Sequence, residues 1–317
     1  MRVPARDDIV AMNVRISQHI RRTPTVRVAG RDLGGVAAST AAVTLKLEQL
    51  QCSGSFKARG AFANLLTRDI PPSGVVAASG GNHGVAVAYA AAQLKVPAHI
   101  FVPTVSSPEK VERIRGLGAD LVIAGERYSD ALALADEFAA ESGALSIHAF
   151  DQYETIAGQG TLALELEEQA PEISTVVVPI GGGGLIAGVA AYFGDAVRVV
   201  GVEPTGAPTL TRARAQGGPV DAPTEGIAAD ALAPRRVGKL TFQLAEAYVD
   251  DVVLVDDEVI IAAQQALWSN LRVIAEPAAA VGIGALLSGA YRPSPNERVA
   301  VLITGANAVV TAPTSPA

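Results

Sequence analysis

Short runs of aliphatic and β-branched residues recur along the chain, separated by longer Ala-rich stretches with helical spacing. The runs read as strands over 43–48 (VTLKLE), 74–79 (GVVAAS), 98–103 (AHIFVP), 119–124 (ADLVIA) and 144–150 (ALSIHAF). Four more follow at 175–180 (TVVVPI), 197–203 (VRVVGVE), 251–256 (DVVLVD) and 298–304 (RVAVLIT). Several are apolar on both faces, which suits strands buried inside parallel sheets. Between them, 83–95 and 128–143 show helical patterns. The alternation predicts an α/β protein with two open parallel-sheet domains and helices on both faces. Residues 73–150 would form a small domain inserted into a large one built from 1–72 and 151–317. No internal repeat is evident, and the tail PTSPA is expected to fray.

Composition narrows the picture. The chain has 317 residues, 49% hydrophobic but only 4% aromatic, so its core must be built from Ala, Val, Leu and Ile. Charged residues make up 18%, below the usual ~25%. Doubly covered sheets or a broad subunit interface would account for that. The net charge of −7 argues against nucleic acid as a partner. A single cysteine, Cys52, excludes an intramolecular disulfide and a cysteine-built metal cluster. The N-terminus carries charge from its second residue and has no apolar signal segment. No apolar stretch is long enough to span a membrane, so a cytoplasmic enzyme is expected.

Four places could carry chemistry. S-G-S-F-K-A-R-G-A (53–61) follows a strand and opens a helix, which puts Lys57 at the strand's carboxyl end, where open α/β sheets place ligands. Read alone, Lys57 could equally be a solvated surface lysine. S-G-G-N-H-G (79–84) is a second strand–turn–helix junction. Its backbone N–H groups at Ser79, Gly80 and Gly81, with the Asn82 side chain, suit a carboxylate; an ordinary βα turn reads the same, and His83 fits a first-turn residue better than a catalyst. P-I-G-G-G-G-L-I-A-G (179–188) spends four glycines, Gly181, Gly182, Gly183 and Gly184, where a turn needs fewer, and so predicts a phosphate cradle. L-I-T-G-A-N (302–307) ends the last strand with a hydroxyl at Thr304, which could also be a plain turn residue.

Taken together, these motifs resemble the serine/threonine dehydratase and serine racemase group of fold-type II pyridoxal-phosphate (PLP) enzymes. The resemblance covers roughly residues 15–307 and includes A-G-Q-G-T (157–161) and E-P-A-A-A-V-G (276–282) in order. It implies PLP as cofactor, a small hydroxy amino acid as substrate and a homodimer. It also implies that Lys57 forms the Schiff base and Phe56 packs against the cofactor ring. Asn82 would bond the ring hydroxyl, Gly181 to Gly184 the phosphate, and Thr304 the pyridine nitrogen, with Glu276 near the ring edge. Ser79 to His83 would receive the substrate carboxylate. The implied reaction is deaminating dehydration of L-threonine or L-serine to 2-oxobutanoate or pyruvate and ammonia. Serine racemisation, β-replacement, or dehydration of another hydroxy amino acid remain open within the group.

The sequence departs from the group in places. Racemases carry a serine where Gly80 stands, so elimination is expected to prevail over racemisation. The family's divalent-cation site matches at Glu203 and the Ala207 carbonyl, but its aspartate ligand falls at Thr209, which argues against a bound divalent ion. Glu225 stands where relatives commonly show Asp, which loosens the substrate assignment. The chain ends soon after T-G-A-N, where biosynthetic threonine dehydratases continue, so a degradative type is expected. Gly182 and Gly184, followed by Glu203 at the end of the next strand, imitate a dinucleotide fingerprint. A nicotinamide enzyme would leave the Lys57 and Asn82 motifs unexplained. A catalytically silent PLP-fold binder would leave intact Lys57 and Asn82 without purpose.

Overall fold

The computed structural model describes residues 2–34, 42–106, 108–126 and 128–307; the PTSPA tail lies outside them. Two sheets form. The larger has the order β1 (Thr25–Val28), β2 (Val43–Leu47), β10 (Val299–Ile303), β7 (Thr175–Pro179), β8 (Arg198–Pro204) and β9 (Asp251–Val255). Its pairings are parallel except β1 against β2. The smaller is parallel throughout, in the order β5 (Asp120–Ile123), β4 (Ala98–Val102), β3 (Val75–Ala78) and β6 (Leu145–Ser146).

The central strands β7 and β10 are buried at every residue, and their side chains alternate between two cores. Val176, Val178, Ala300 and Leu302 face one core, while Val177, Val299, Val301 and Ile303 face the other. This is the period-two geometry of a strand covered on both faces. The first core is capped by α1 (Arg6–Ile16), α3 (Lys57–Thr67), α7 (Tyr153–Gln169), α8 (Gly184–Phe193), α9 (Thr209–Gln216) and α11 (Lys239–Tyr248). The second is capped by α2 (Gly30–Leu33), α10 (Ala229–Leu232), α12 (Asp257–Leu271) and α13 (Pro277–Ser288). On the smaller sheet, α4 (Asn82–Leu94) and α5 (Pro108–Gly116) join the first core, and α6 (Tyr128–Ser142) covers the other face. Among the described residues, no helix is long and apolar enough to cross a membrane.

Two features depart from the sequence reading. Strand β1 was not anticipated: it is a short antiparallel edge strand whose middle residues are exposed, so its TVRV sequence lacks a buried-strand pattern. The run 144–150 is a strand only over Leu145–Ser146. Its remainder leaves the sheet, because Ala149 and Phe150 pack into the cavity described below. The other predicted strands, and the two helices predicted over 83–95 and 128–143, fall within a residue or so of their predicted limits.

A buried charge network lies inside the first core. The Arg59 guanidinium on α3 donates to Glu48 at 2.7 and 2.8 Å and to Glu165 on α7 at 2.8 and 2.9 Å. Lys46 Nζ on β2 donates to Glu165 at 2.7 Å, to the Thr23 carbonyl at 2.7 Å and to Gln169 at 2.8 Å. Thr23 donates its hydroxyl to Glu48. Arg59, Lys46 and Glu48 have no solvent exposure. Burial alone would lower the Arg59 pKa, but Glu48 and Glu165 outweigh it and hold the group above its ordinary range. Burial likewise pushes Glu165 up, and Arg59 and Lys46 bring it below the usual carboxylate range. The pairs are charged and mutually dependent, so removing one partner strands the others without water. Arg59→Ala is therefore expected to destabilise the fold by about 3–5 kcal/mol in denaturant unfolding. Arg59→Lys should recover only part of this, because one ammonium cannot fork between two carboxylates.

Candidate active site

The strands that carry the sequence motifs end on one cavity of about 670 Å³. β2 runs through two short 3-10 turns into Ser55 and Phe56, and Lys57 opens α3. β3 ends at the Ser79–Gly81 turn before α4, β7 at the glycine turn before α8, and β10 at Thr304. All of these are carboxyl ends, the usual ligand side of open α/β sheets.

Lys57 lines the cavity, and its Nζ donates to the Ala149 carbonyl at 2.7 Å. Burial lowers its pKa to about 8, with the Glu276 carboxylate opposing the shift. A large share of the amine is therefore neutral at slightly alkaline pH, as a nucleophilic lysine requires. Phe56 lies beside it, with Nζ 5.2 Å from the ring centre. The Phe56 N–H bonds the Thr304 carbonyl at 3.1 Å, which ties the start of α3 to the end of β10. The other candidate lysine, Lys46, lies inside the charge network and away from the cavity.

The glycine turn is closely packed from behind. Gly183 has φ +85°, a left-handed conformation that favours glycine. A Cβ on Gly182 would overlap the Phe150 ring, and one on Gly184 would come within 2.8 Å of the Phe150 backbone. Among the described residues, the N–H groups of Gly183, Gly184 and Leu185 meet no backbone carbonyl. They open α8 toward the cavity, as an anion cradle does.

The Ser79–His83 segment lines the same cavity. Gly81 N–H donates to Ser79 Oγ at 3.1 Å. Asn82 Nδ2 donates to Glu276 Oε1 at 2.6 Å, and its Oδ1 accepts from Asn307 at 2.8 Å. The Asn307 N–H reaches the other Glu276 oxygen at 3.2 Å. His83 is buried; its Nε2 donates to the Ile147 carbonyl at 2.9 Å. Burial, followed by the Lys57 charge, lowers its pKa to about 3, so the ring is neutral. Thr304, 3% exposed, lines the same cavity as Lys57 and Glu276. The position of Gly80 is unexpected: a Cβ there would lie 2.9 Å from Ser106 Cβ and closer still to its hydroxyl. Residue 106 thus fills the space that a side chain at residue 80 would take.

Glu203 and Ala207 lie outside this cavity. The Glu203 carboxylate accepts from Leu210 N at 2.7 Å and from Thr211 N and Oγ1 at 3.0 and 2.7 Å. Thr209 Oγ1 lies 2.9 Å from it. It caps α9, and burial raises its pKa despite these donors. A single carboxylate already saturated by N–H and O–H groups does not fit a hard divalent ion. Among the described residues, no group of three or more His, Cys, Asp or Glu is placed to hold a metal. The same capping role leaves Glu203 unavailable to a ribose. Glu225 is exposed, and Thr224 beside it faces the cavity instead.

Sequence reasoning missed Ala149, Phe150, Asn307, Asp151 and Ser106. Asp151 accepts from Lys239 and Leu240 N–H at 2.9 and 2.8 Å, which holds α11 beside the glycine turn. Reading 144–150 as strand concealed the first two; Asn307 was visible as the last residue of T-G-A-N.

The residues present fit PLP: a buried amine of depressed pKa, an anion cradle and a neutral hydroxyl line one cavity. Comparison with known proteins agrees. Residues 16–305 match the family described as pyridoxal-phosphate dependent enzyme. Phenylserine dehydratase of Ralstonia pickettii is 38% identical over 310 residues, covering 96% of this chain and 94% of that one. Biosynthetic L-threonine dehydratase of Escherichia coli is 38% identical over 271 residues, 84% of this chain but 53% of that one. The chain thus aligns with only about half the length of that relative. Maize serine racemase superposes with a TM-score of 0.90 at 34% identity, covering 97% of this chain and 94% of that structure. The chain belongs to the pyridoxal-phosphate dependent enzymes of fold type II, and PLP is its cofactor.

Proposed function

We propose that the chain is a deaminating dehydratase of L-threonine and/or L-serine, releasing 2-oxobutanoate or pyruvate and ammonia. The observation that carries this is the amine of Lys57, desolvated to a pKa of about 8 and facing the cavity shared by the glycine turn and the Ser79–His83 turn. When bound, PLP supplies the electron sink that makes the substrate α-proton removable. Lys57 would hold the cofactor, and its amine, when free, would take the proton at the α-carbon. Gly181 to Gly184 would hold the phosphate through their N–H groups. Phe56 would pack against the cofactor ring and Asn82 would bond its hydroxyl, with Glu276 near by. Ser79 to His83 would orient the substrate carboxylate. Thr304 would offer the cofactor nitrogen a neutral partner, which would favour loss of the β-hydroxyl.

A second reading, an aryl-substituted β-hydroxy amino acid such as phenylserine, has two supports. A cavity of about 670 Å³ falls within the ~300–1,000 Å³ range that accepts drug-sized ligands. Its wall also carries apolar Pro103, Val105 and the Tyr128 ring. The same proposal includes a large cofactor part (1–72 and 151–317), a small part (73–150) that follows the smaller sheet, a homodimer, and residence in the cytoplasm.

The decisive assay is release of ammonia and 2-oxo acid from L-serine, L-threonine and phenylserine by the purified holoenzyme. Turnover of none of them would overturn the dehydratase reading, and a preference for phenylserine would select the second. Borohydride reduction and peptide mapping should place the pyridoxyl group on Lys57, and Lys57→Ala should abolish turnover; label on Lys46 would contradict the assignment. Gly183→Val should raise the PLP dissociation constant roughly ten-fold or more, since valine disfavours φ +85° and its Cβ would overlap the Thr241 side chain. Unchanged affinity in a folded variant would remove the phosphate from this turn.

A further inference from the structure

Asn82 lines the cavity, and its amide is held by partners on both sides: Nδ2 donates to Glu276 and Oδ1 accepts from Asn307. Among the described residues, the second N–H of Nδ2 has no protein partner. What keeps the amide this way round lies outside the cavity. Arg113, exposed on α5 beside the smaller sheet, donates to Asn307 Oδ1 and, at 3.0 Å, to the Ser53 carbonyl. Asn307 Nδ2 donates to the same carbonyl at 2.9 Å and to Asn82 Oδ1 at 2.8 Å. Ser53 has φ +61°, a left-handed conformation uncommon for a residue with a side chain, and its carbonyl receives both donors. Gly54 leaves the room they need: a Cβ there would overlap the Asn307 amide oxygen and lie 3.2 Å from the Arg113 guanidinium. Neither Arg113 nor Asn307 is among the residues lining the cavity.

The donors and acceptors along this chain of contacts admit one arrangement. A guanidinium only donates, and a carbonyl or carboxylate only accepts. Arg113 therefore requires the oxygen of Asn307, and Ser53 requires its nitrogen. That nitrogen in turn requires the oxygen of Asn82, which leaves the Asn82 nitrogen for Glu276. Burial lowers the Arg113 pKa and the Glu276 carboxylate opposes the shift, so the cation stays a donor. Turning either amide over would set acceptor against acceptor. We propose that Arg113 is a positioning residue: through Asn307 it fixes the Asn82 amide in the orientation that presents an unengaged N–H to the ring hydroxyl of the cofactor. This rests on the contact between Asn82 and that hydroxyl proposed above. A cation on the smaller sheet's helix thus decides which group the site offers the cofactor, without touching the cofactor itself.

The ring hydroxyl can be deleted from the ligand as well as its donor from the protein. Dissociation constants of PLP and of its deoxy analogue, which lacks that hydroxyl, are measured by equilibrium dialysis; their ratio reads the hydroxyl contact and is blind to a general loss of binding. Arg113→Met removes the donor and keeps an apolar stem. It should weaken PLP roughly three- to ten-fold, the worth of one hydrogen bond, and the analogue less than about two-fold. Arg113→Lys should keep most of the ratio, because an ammonium still donates to both oxygens. Arg113 is exposed on its helix, so neither change removes a core contact. In an Asn307→Ala background, Arg113→Met should move the ratio no further. Asn82→Ala should move it at least as far as Arg113→Met does. A ratio that responds to Asn82→Ala but not to Arg113→Met would overturn the Arg113 role alone. An Arg113→Met effect that persists in full without the Asn307 side chain would also overturn it, since the cation would then act by its charge and not through the amides. A ratio unmoved by Asn82→Ala would take Asn82 away from the ring hydroxyl, and this inference would fall with that assignment.

Discussion

The structure turns on Arg59, a cation held without solvent between two carboxylates. Its guanidinium joins Glu48, at the end of β2, to Glu165 on α7, and Lys46 closes the same network from β2. These contacts fix α3 against the larger sheet from below, while the Phe56 bond to Thr304 fixes it at its first turn. Lys57 lies two residues before Arg59 on the same helix. A purely apolar seat for α3 would bury as much surface but would allow small slides along the groove. Paired charges with fixed donor geometry make a slide of even an ångström costly. The network therefore specifies where the reactive amine stands, and its own net charge is zero, so it adds little field at Lys57.

The site is otherwise built by withholding side chains. Gly182 and Gly184 admit Phe150 from behind, and Gly80 admits Ser106. Gly188 of α8 meets Gly160 of α7 so closely that a Cβ would lie 2.6 Å from the Gly160 nitrogen. The Ala-rich core follows the same logic. Helices whose every residue is buried, such as α8, can approach a sheet closely only if most of their side chains are small. This explains how a chain with 4% aromatics still packs three cores among the described residues.

What could be read from the sequence followed from periodicity and local chemistry. Strands buried on both faces announce themselves as β-branched runs, and a four-glycine turn before an apolar helix has few other uses. Lys57, Asn82, the glycine turn and Thr304 were placed in order along the chain, and the structure brings them to one cavity. The relations that remained hidden cross large sequence distances. Ala149 meets Lys57 across 92 positions, and Glu276 meets Asn82 across 194. Nothing in TVRV signals an edge strand, because its partner β2 supplies the hydrogen bonds and its own side chains bury little. Gly80 is plain in the sequence, but only the fold shows that Ser106 of the β4–α5 loop packs where its side chain would be.

Two buried lysines show how environment separates structure from chemistry. Burial lowers the pKa of both Lys46 and Lys57. Lys46 is then surrounded by acceptors: a carboxylate, a carbonyl and an amide oxygen all lie within 2.8 Å of Nζ. The three acceptors match the three N–H bonds of an ammonium, so losing one proton would turn a lone pair toward an acceptor in a site that water cannot reach. Among the described residues Lys57 has one acceptor, the Ala149 carbonyl, and a cavity beside it. Deprotonation there leaves one weak contact to be made good by the remaining N–H bonds, and the lone pair faces open space. The neighbouring groups favour the same outcome. His83 is neutral and its Nε2–H is committed to Ile147, so it neither competes for the proton nor adds a second charge. Among the described residues Glu276 draws the lysine back toward its charged form, and that carboxylate already accepts from Asn82 and from the Asn307 N–H. The amine that is free to leave its proton is thus the one whose surroundings ask least of it.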